Sequence, residues 1–409
     1  MTEVIEKTEY KKGYKKTKLG WIPEEWEECC LKDITTIFGR IGFRGYTKED
    51  IVQKDEGAIS LSPTNIKNER ICYDDNTYIS NFKYEESPEI KIYDDDIIFV
   101  KTGSSYGKSA IIKNLPQKAT INPQLIVFKD IKINRNILFD ILNTNSFNRF
   151  LQKIVVAGAI PTLSQEQIYK YPITLPTKKE QEKIAEILSA WDDGIETLEK
   201  LIEQKEILKK ATMQKLFLEK ESWKMMRFDK IFKDFCKKNC PEGRLLSATQ
   251  EKGVIPRDML SGKVMSPEGS LDGYKLIEAG DFVISLRSFQ GGLEYSKYRG
   301  ILSPAYTVLK NIIYIDKDFY RHFFKSYKFI EKYLSISVIG IRDGKQISYS
   351  DLSSVKIPYP PLEEQEKIGK ILNCYDEELQ LLNSKLEKLK EQKKGLMQKL
   401  LTGQIRVKV

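Results

Sequence analysis

Two long stretches of the chain carry apolar residues at alternating spacings of four and three positions. The first stretch uses Ile184, Leu188, Trp191, Ile195, Leu198 and Ile202, and the second uses Ile368, Leu372, Tyr375, Leu379, Leu382, Leu386 and Leu389. Charged residues fill many of the positions between them, so the apolar side chains form one stripe along a helix. Each stretch follows a proline-rich segment, which cannot itself continue a helix. We therefore predict helices over 178–217 and 362–401, each roughly 60 Å long, that pair as an antiparallel coiled coil. Two amphipathic helices packed separately on globular domains are the alternative.

The blocks before the two helices have the pattern of β-rich domains. Apolar runs at 97–101, 125–129, 281–286 and 306–310 are separated by loops rich in Gly, Asn, Asp and Ser. Each block ends in a patch with helical character, at 135–154 and 316–334. We predict an α+β fold in four segments, which are a mixed domain at 1–176, a helix at 177–220, a mixed domain at 221–361, and a helix with a tail at 362–409.

The chain also repeats itself. The segment "EQEKIAEIL" at 180–188 returns as "EQEKIGKIL" at 364–372, and 16 of the 38 positions from Glu180 to Phe217 are identical to those 184 residues later. Weaker matches continue upstream, as between "INPQLIVFK" at 121–129 and "LSPAYTVLK" at 302–310, and the openings "WEECCLKDI" and "WKMMRFDKI" correspond. This repeat predicts a pseudo-twofold architecture. Because the helices agree while the blocks diverge, we expect two recognition domains with different targets.

Composition and charge narrow the possible functions. A chain of 409 residues with net charge +9 has room for two or three domains, and the charge is concentrated in 221–361, which carries +7 against −2 for 21–176. No apolar run is long enough to span a membrane, residues 1–20 are too charged for a secretory signal, and the six cysteines are sparse, so we expect a cytoplasmic protein. Cys236 and Cys240 have no second cysteine pair, and His322 is the only histidine. We therefore predict no zinc site and no Ser-His-Asp hydrolase.

The segment "KTGSSYGKS" at 101–109 raises the question of a phosphate-binding loop. Such a loop needs two glycines separated by four residues, then Lys and Ser or Thr, at the start of a helix. Here Gly103 and Gly107 are separated by three residues, and Thr102 stands where the first glycine belongs. The following "AIIKN" is typical of a strand. We therefore predict neither nucleotide binding nor any other cofactor.

Other catalytic motifs also fail. The segments "NPQL" at Asn122 and "PPLE" at Pro360 do not match the Asn- or Asp-Pro-Pro-aromatic motif of DNA adenine methyltransferases, and "FGRIG" at 38–42 has the wrong spacing for a methyl-donor loop. A nuclease pattern would need "PEIK" at 88–91 together with Asp74 and Asp75, and neither aspartate follows a proline. The sequence therefore predicts no catalytic residues.

Several segments together resemble the DNA specificity subunits of type I restriction-modification enzymes. They are "LGWIPEEWE" before the first block, "DIIFVKTGSSYGKSAII" within it, "PPLEEQEKI" before the second helix and "GLMQKLLTGQIRV" at the C-terminal end. The first helix departs from this pattern, because it ends in "MQKLFLEKESW".

The resemblance implies a non-catalytic subunit that binds double-stranded DNA. Each block would be a target-recognition domain that reads one half of a split sequence, and the coiled coil would hold the domains apart. DNA methyltransferase subunits would dock on this frame, and restriction subunits, which are ATP-dependent translocases and nucleases, would join them. The ATP and S-adenosylmethionine sites would then belong to the partners. A fused restriction enzyme with unrecognised chemistry and a coiled-coil scaffold for two protein-binding modules remain alternatives.

Glycine-rich turns with basic and polar side chains are the predicted DNA contacts, because such turns let the backbone approach phosphates while side chains reach base edges. In the first block they are Lys101, Thr102, Gly103, Ser104, Ser105, Tyr106, Gly107 and Lys108, and in the second Arg287, Ser288, Phe289, Gln290, Arg342 and Lys345. Arg287 would grip a guanine edge and Gln290 an adenine edge. Solvated surface loops are the alternative interpretation.

Overall fold

In this computed structural model, residues 12–155, 161–218, 220–240, 242–260, 270–285, 288–334 and 347–409 are described, apart from the side chains of Phe43 and Phe289. The chain forms two units. The first combines Met1–Thr197 with Leu386–Val409, and the second is Leu198–Lys385. Each long helix contributes one of its ends to each unit, so both units contain the start of one helix and the end of the other.

The first unit begins with short strands and ends in helices. Its strands are β1 (Tyr14–Thr17), β2 (Gly20–Pro23), β3 (Glu27–Cys30), β4 (Thr36–Gly39), β5 (Ile51–Val52), β6 (Ala58–Leu61), β7 (Ile66–Lys67), β8 (Arg70–Ile71), β9 (Thr77–Ile79), β10 (Ile97–Val100), β11 (Ser109–Ile111), β12 (Ala119–Ile121), β13 (Leu125–Lys129) and β14 (Pro172–Leu175). Its helices are α1 (Leu31–Ile34), α2 (Asn81–Glu85), α3 (Arg135–Leu142), α4 (Asn145–Ile154), α5 (Gln165–Tyr169) and the first part of α6 (Lys178–Leu216).

A six-stranded sheet in the order β4-β13-β10-β11-β8-β7 forms the middle layer of this unit. All four residues of β10 are buried. Alternate side chains of a strand point to opposite faces, and both faces of this strand are covered. Ile97 and Phe99 join a core with the helices, while Ile98 and Val100 join a second core. That second core also contains Ile59 from the four-stranded sheet β12-β6-β9-β5.

The second unit has the same plan with fewer strands. Its strands are β15 (Lys224–Arg227), β16 (Phe232–Phe235), β17 (Leu246–Thr249), β18 (Gly253–Pro256), β19 (Lys275–Ile277), β20 (Phe282–Ile284), β21 (Glu294–Tyr295), β22 (Gly300–Leu302), β23 (Thr307–Asn311) and β24 (Lys356–Tyr359). Its helices are α7 (Ser288–Gly291), α8 (Lys317–Phe323), α9 (Tyr349–Ser353), the first part of α10 (Leu362–Leu401) and a π-helical turn at Phe329–Leu334.

The central sheet of the second unit has the order β16-β23-β20-β21. Its strands again separate two cores, because Phe282 and Leu309 pack on the helix side while Val283 and Val308 pack on the other side. In both units an early strand pairs antiparallel with the strand that leads into the long helix, β3 with β14 in the first unit and β15 with β24 in the second. Each block is thus closed at the point where its helix begins.

The two long helices pair antiparallel. In the first unit the start of α6 shares a core with Met397, Leu400 and Leu401 at the end of α10. In the second unit Ile368 and Leu372 near the start of α10 share a core that includes Phe217, the residue after α6. The predicted α+β fold with an antiparallel helix pair is confirmed, and the predicted helix bounds of 178–217 and 362–401 differ by at most one residue from those observed.

Candidate nucleic-acid interface

The predicted DNA-facing loop of the first unit is the turn of a β-hairpin between β10 and β11. The Val100 amide donates to the Lys108 carbonyl oxygen at 2.8 Å, and the Gly107 amide donates back to the Val100 carbonyl oxygen at 2.9 Å. Gly103 and Gly107 have φ values of +103° and +91°, which glycine adopts without steric cost. The glycines are therefore needed to turn the chain. The residues after the loop form strand β11, as predicted, where a phosphate-binding loop would need a helix.

Several backbone donors of this loop are used inside the protein. The amides of Lys101 and Gly103 donate to the carbonyl oxygens of Gln124 and Pro161, at 2.9 and 3.0 Å. The amides of the last three loop residues, 106–108, donate to carbonyl oxygens of the hairpin itself. The amides of Gly103 and Gly107 are therefore already bonded within the protein. The backbone of the loop is fixed by these hydrogen bonds, so its side chains are the groups available to a ligand.

The side chains of the loop differ in exposure. Ser104 and Lys108 are exposed, whereas the Tyr106 ring is partly buried against the helix-side core. Thr102 is held by a bridge to Thr162. Lys101 is half-buried, and burial lowers the pKa of its ammonium group. Ser104 and Lys108 are thus the residues of this loop best placed to meet a ligand directly.

The matching loop of the second unit is partly described. Ser288 is 1% exposed, and its Oγ accepts a hydrogen bond from the Ser285 amide at 2.8 Å, so in this conformation it stabilises the turn and does not face solvent. Gln290 lies on α7 and is exposed. Lys325 fixes this short helix, because its Nζ donates to the Gly291 carbonyl oxygen at 2.9 Å. Arg287, Arg342, Lys345 and the side chain of Phe289, all predicted to contact DNA, lie outside the described residues.

The predicted helix stripes divide into buried and partly exposed positions. Those buried are Ile184, Leu188, Ile195, Leu198, Ile202, Ile368, Leu372 and Leu386, and those partly exposed are Trp191, Tyr375, Leu379, Leu382 and Leu389. The first two positions of each stripe lie in the core of a unit and not in a seam between helices alone. The two helices are therefore built into the domains at their starting ends.

Two ion pairs between the helices follow the sequence repeat. In the first unit Lys393 Nζ donates to Asp192 Oδ1 at 2.6 Å, and in the second unit Lys209 Nζ donates to Asp376 Oδ1. Adding 184 to 192 and to 209 gives 376 and 393, so the two ion pairs exchange equivalent residues. An antiparallel pair of duplicated helices produces this exchange, because each lysine lies opposite the other copy's aspartate.

A glutamate at the start of each long helix binds the tryptophan at the start of the block. Trp26 Nε1 donates to Glu180 Oε2 at 2.8 Å, and Trp223 Nε1 donates to Glu364 Oε2 at 2.7 Å. Glu180 is additionally bound by Arg406 from the chain after α10, whose Nε donates to Oε1 at 2.6 Å. These contacts tie the block, the start of one helix and the chain beyond the other helix together.

The next residue of each helix is a buried glutamine with the same two contacts in both units. Gln181 Oε1 accepts from the Asn134 amide at 3.1 Å, and its Nε2 donates to the Pro176 carbonyl oxygen at 2.9 Å. Gln365 makes the equivalent contacts with the Asp316 amide, at 3.0 Å, and the Pro360 carbonyl oxygen, at 2.9 Å. The sequence repeat shows these residues as an identical "EQ" in both copies. Repetition alone does not show which residues they contact.

The first helix after the central sheet carries a different buried ionisable group in the two units. In the second unit His322 on α8 is buried, its Nε2 lies 2.9 Å from Asn373 Oδ1, and burial lowers the pKa of its imidazole to about 4. In the first unit Asp140 on α3 is 3% exposed. Burial raises the pKa of this carboxyl to about 7 against the opposing effect of Lys393.

Within the described residues no cluster of three or more His, Cys, Asp or Glu side chains is arranged to hold a metal ion. The helices described here also include none that is both long and apolar enough to cross a membrane.

Comparison with known proteins identifies the family. The family model for the type I restriction modification DNA specificity domain matches the chain twice, at residues 23–207 and 220–391. The chain belongs to this family. The two matches fall on the two copies of the internal repeat, so each copy corresponds to one specificity domain.

Full-length relatives support the same conclusion. The chain is 28% identical over 434 residues to the putative type I restriction enzyme MjaX specificity subunit of Methanocaldococcus jannaschii, covering 97% of both chains. It is also 28% identical to the MjaVIII specificity subunit of that organism, covering 95% of this chain and 94% of the relative. The prediction of a type I specificity subunit is confirmed, and the alternatives of a fused enzyme and of a scaffold are set aside.

Two solved structures share the fold. One is a chain from a study of assembly and conformational transition in a type I R-M system, with a TM-score of 0.55 and 16% identity over 94% of this chain and 99% of that chain. The other is the type I restriction-modification S subunit from M. genitalium, with a TM-score of 0.51 and 18% identity over 92% of this chain and 96% of that chain. The type I specificity-subunit architecture is thus retained at low sequence identity.

Proposed function

We propose that each unit of this specificity subunit reads one half of a bipartite double-stranded DNA target. The observation that supports this proposal is the combination of duplicated frame contacts with different reading loops. The Trp–Glu, glutamine and Lys–Asp contacts occur in both units. The loop "KTGSSYGK" of the first unit corresponds to "LRSFQGG" in the second. A protein that recognises two different half-sites needs two similar domains that carry different DNA-contacting loops.

The DNA contacts within each unit are proposed to come from these loops. In the first unit Ser104 and Lys108 are exposed on the hairpin turn, and a hydroxyl and an ammonium group are suited to phosphate oxygens. In the second unit the exposed Gln290 is suited to an adenine edge. The +7 charge of residues 221–361 adds a general attraction to DNA phosphates in that block.

The partners proposed for this subunit are DNA methyltransferase subunits and ATP-dependent restriction subunits, which would carry methyl transfer, ATP hydrolysis and DNA cleavage. Apolar residues exposed on the helices of the second unit support docking on the frame. Leu201 is 39% exposed, Ile207 60%, Leu208 48% and Leu381 71%, and apolar groups in water favour burial against a partner. We also propose the four segments 1–176, 177–220, 221–361 and 362–409 as the functional divisions, and a cytoplasmic location.

Methylation mapping tests the proposal. Adenine methylation is mapped across the genome of a host strain that expresses the methyltransferase partner with or without this subunit. We expect a two-part motif with an unspecified spacer only when both proteins are present, and co-purification of the two proteins. Methylation that is the same without this subunit would contradict the proposed function.

A further inference from the structure

One edge of the central sheet in the first unit brings together three separate chain segments. β4, β13 and β10 are neighbours and antiparallel, with Gly39 opposite Ile126 and Val100 opposite Leu125. The end of β4, the start of β13 and the end of β10 therefore lie at the same edge. The hairpin loop continues from this edge, and the segment before α5 joins it, because the Leu163 amide donates to the Lys101 carbonyl oxygen at 2.9 Å.

Lys101 brings an unpaired charge to this edge. It is half-buried, burial lowers the pKa of its ammonium group, and in the part of the chain that the structure describes it forms no side-chain hydrogen bond or ion pair. The ammonium group lies next to Gly39. A Cβ added at Gly39 would be 3.6 Å from Lys101 Nζ and 3.2 Å from Gln165 Nε2. A partly desolvated cation without an anion is costly, so this ammonium group is suited to an incoming anionic ligand.

Gln124 is joined to Lys101 through the backbone, because its carbonyl oxygen accepts from the Lys101 amide at 2.9 Å. The Gln124 backbone amide donates to Asn122 Oδ1 at 3.0 Å, and Asn122 Nδ2 donates to Gln124 Oε1 at 3.1 Å. Asn122 is 8% exposed, whereas Gln124 is exposed. A buried asparagine thus holds an exposed glutamine through two hydrogen bonds. The Gln124 side-chain amide lies next to Gly103 of the loop. A Cβ added at Gly103 would be 3.6 Å from Gln124 Nε2.

We propose that Gln124 reads one adenine of the first half-site, with Lys101 neutralising an adjacent phosphate; this inference rests on the proposed function and names its reader. Adenine presents an N6 donor and an N7 acceptor in the major groove, which the acceptor Oε1 and the donor Nε2 of a glutamine match in a bidentate pair. Oε1 has two lone pairs, so it accepts from adenine while retaining the bond from Asn122. Guanine offers two acceptors at the same places and gives only one of the two bonds.

The second unit has no equivalent of this reader. In the repeat, "INPQLIVFK" aligns with "LSPAYTVLK", which places Ser303 at the position of Asn122 and Ala305 at the position of Gln124. Alanine has no group that can recognise a base edge by hydrogen bonding. The adenine preference set by Gln124 therefore belongs to one half-site alone.

Selection from a DNA library tests the inference. The subunit in complex with its methyltransferase is incubated with duplexes in which both half-sites and the spacer length are randomised. For Gln124→Ala we expect the preference for adenine at one position of one half-site to fall by roughly 5- to 150-fold, with the other half-site unchanged. The matched control is Gln152→Ala, which removes an exposed glutamine from α4 and should leave every position unchanged.

A second variant separates reading from structure. Gln124→Glu replaces the donor with an acceptor, so preference at that position should move from adenine to cytosine, whose N4 group donates. A merely structural role for Gln124 would weaken binding without moving the preference. If Gln124→Ala and Gln124→Glu both select the wild-type half-sites, the inference is wrong while the proposed function stands. If the wild-type complex selects no bipartite sequence, the proposed function itself fails.

Discussion

Replacing Glu180 with alanine should destabilise the first unit more than any substitution at an exposed position of the same helix. Glu180 is 1% exposed, and its carboxylate accepts from Trp26 Nε1 at 2.8 Å, Thr177 Oγ1 at 3.0 Å and Arg406 Nε at 2.6 Å. The variant leaves the buried indole N–H without its acceptor and removes one carboxylate from the guanidinium group.

The expected cost follows from these contacts. Breaking a buried ion pair costs about 3–5 kcal/mol, but the Arg406 side chain is 35% exposed and also contacts Glu25, so it regains part of this in water. An unsatisfied buried donor costs about 1–3 kcal/mol. We therefore expect a loss of about 2–4 kcal/mol in the first unit. Glu364→Ala in the second unit should cost about 1–2 kcal/mol, because the Glu364 side chain is 22% exposed and Lys220 is 56% exposed.

Native-state hydrogen exchange is the suitable assay, because a chain of two units need not unfold in one step. Amides of β2 and β3 should exchange from a less stable state in Glu180→Ala, while amides of β15 and β24 keep their protection. Glu182→Ala, an exposed change on the same helix, should alter stability by less than about 0.5 kcal/mol. Equal effects of Glu180→Ala and Glu182→Ala would refute the assigned role of these hydrogen bonds.

The same contact should depend on pH. Burial alone would raise the pKa of Glu180, but hydrogen bonds from Arg406, Trp26 and Thr177 outweigh it and hold the pKa below its ordinary value of 4.5. A carboxyl with a lowered folded-state pKa stabilises the fold above its unfolded-state pKa and loses that contribution as the pH falls through the folded-state value. The stability difference between the wild type and Glu180→Gln should therefore shrink below about pH 4.5.

Four further outcomes are expected. The purified chain should not hydrolyse ATP, and turnover abolished by Lys108→Ala would revive the phosphate-loop interpretation. Gln290→Ala should relax only the half-site read by the second unit, by about 1–3 kcal/mol for a bidentate contact, as measured by selection; equal relaxation of both half-sites would make it a phosphate contact. Asp140→Asn should stabilise the first unit at pH 8, on the order of 4 kcal/mol, and less at pH 5. A folded-state pKa raised to about 7 is a cost that grows as the pH rises from 3.8 to 7, so an equal gain at both pH values, measured by hydrogen exchange of the first unit, would contradict it. Adding seven residues to each long helix within the apolar seams should lengthen the preferred DNA spacer by about three base pairs, from 1.5 Å per residue and 3.4 Å per base pair; an unchanged spacer in a library selection would show that the helices are not the ruler.

Periodicity predicted the long helices well, because their register is local information. The positions of Ile184 and Ile368 follow from the chain alone, since residues three and four apart share a helix face. The strands were also placed closely, with Leu125–Lys129 observed as predicted and Tyr306–Lys310 shifted by one residue to Thr307–Asn311. Short apolar runs bounded by turn residues are typical of strands that are buried on both faces.

The site was less accessible to sequence analysis, because exposure is not local. Tyr106 and Ser288 look like ligand contacts in a glycine-rich turn, yet one packs on a core and the other stabilises its turn. Gln124 was passed over because nothing nearby in sequence marks it. Its importance comes from Gly103 and Lys101, which the hairpin brings beside it.

The sequence by itself determined the duplication, the two helices and the family, because repeats, heptads and motifs are properties of residue order. Only the tertiary structure decided which repeated residues meet. Glu180 and Arg406 are 226 positions apart, and Lys393 and Asp192 are 201 apart. These residues meet because the second helix runs antiparallel to the first. Their hydrogen bonds and ion pairs are strengthened by burial, because competing water is excluded.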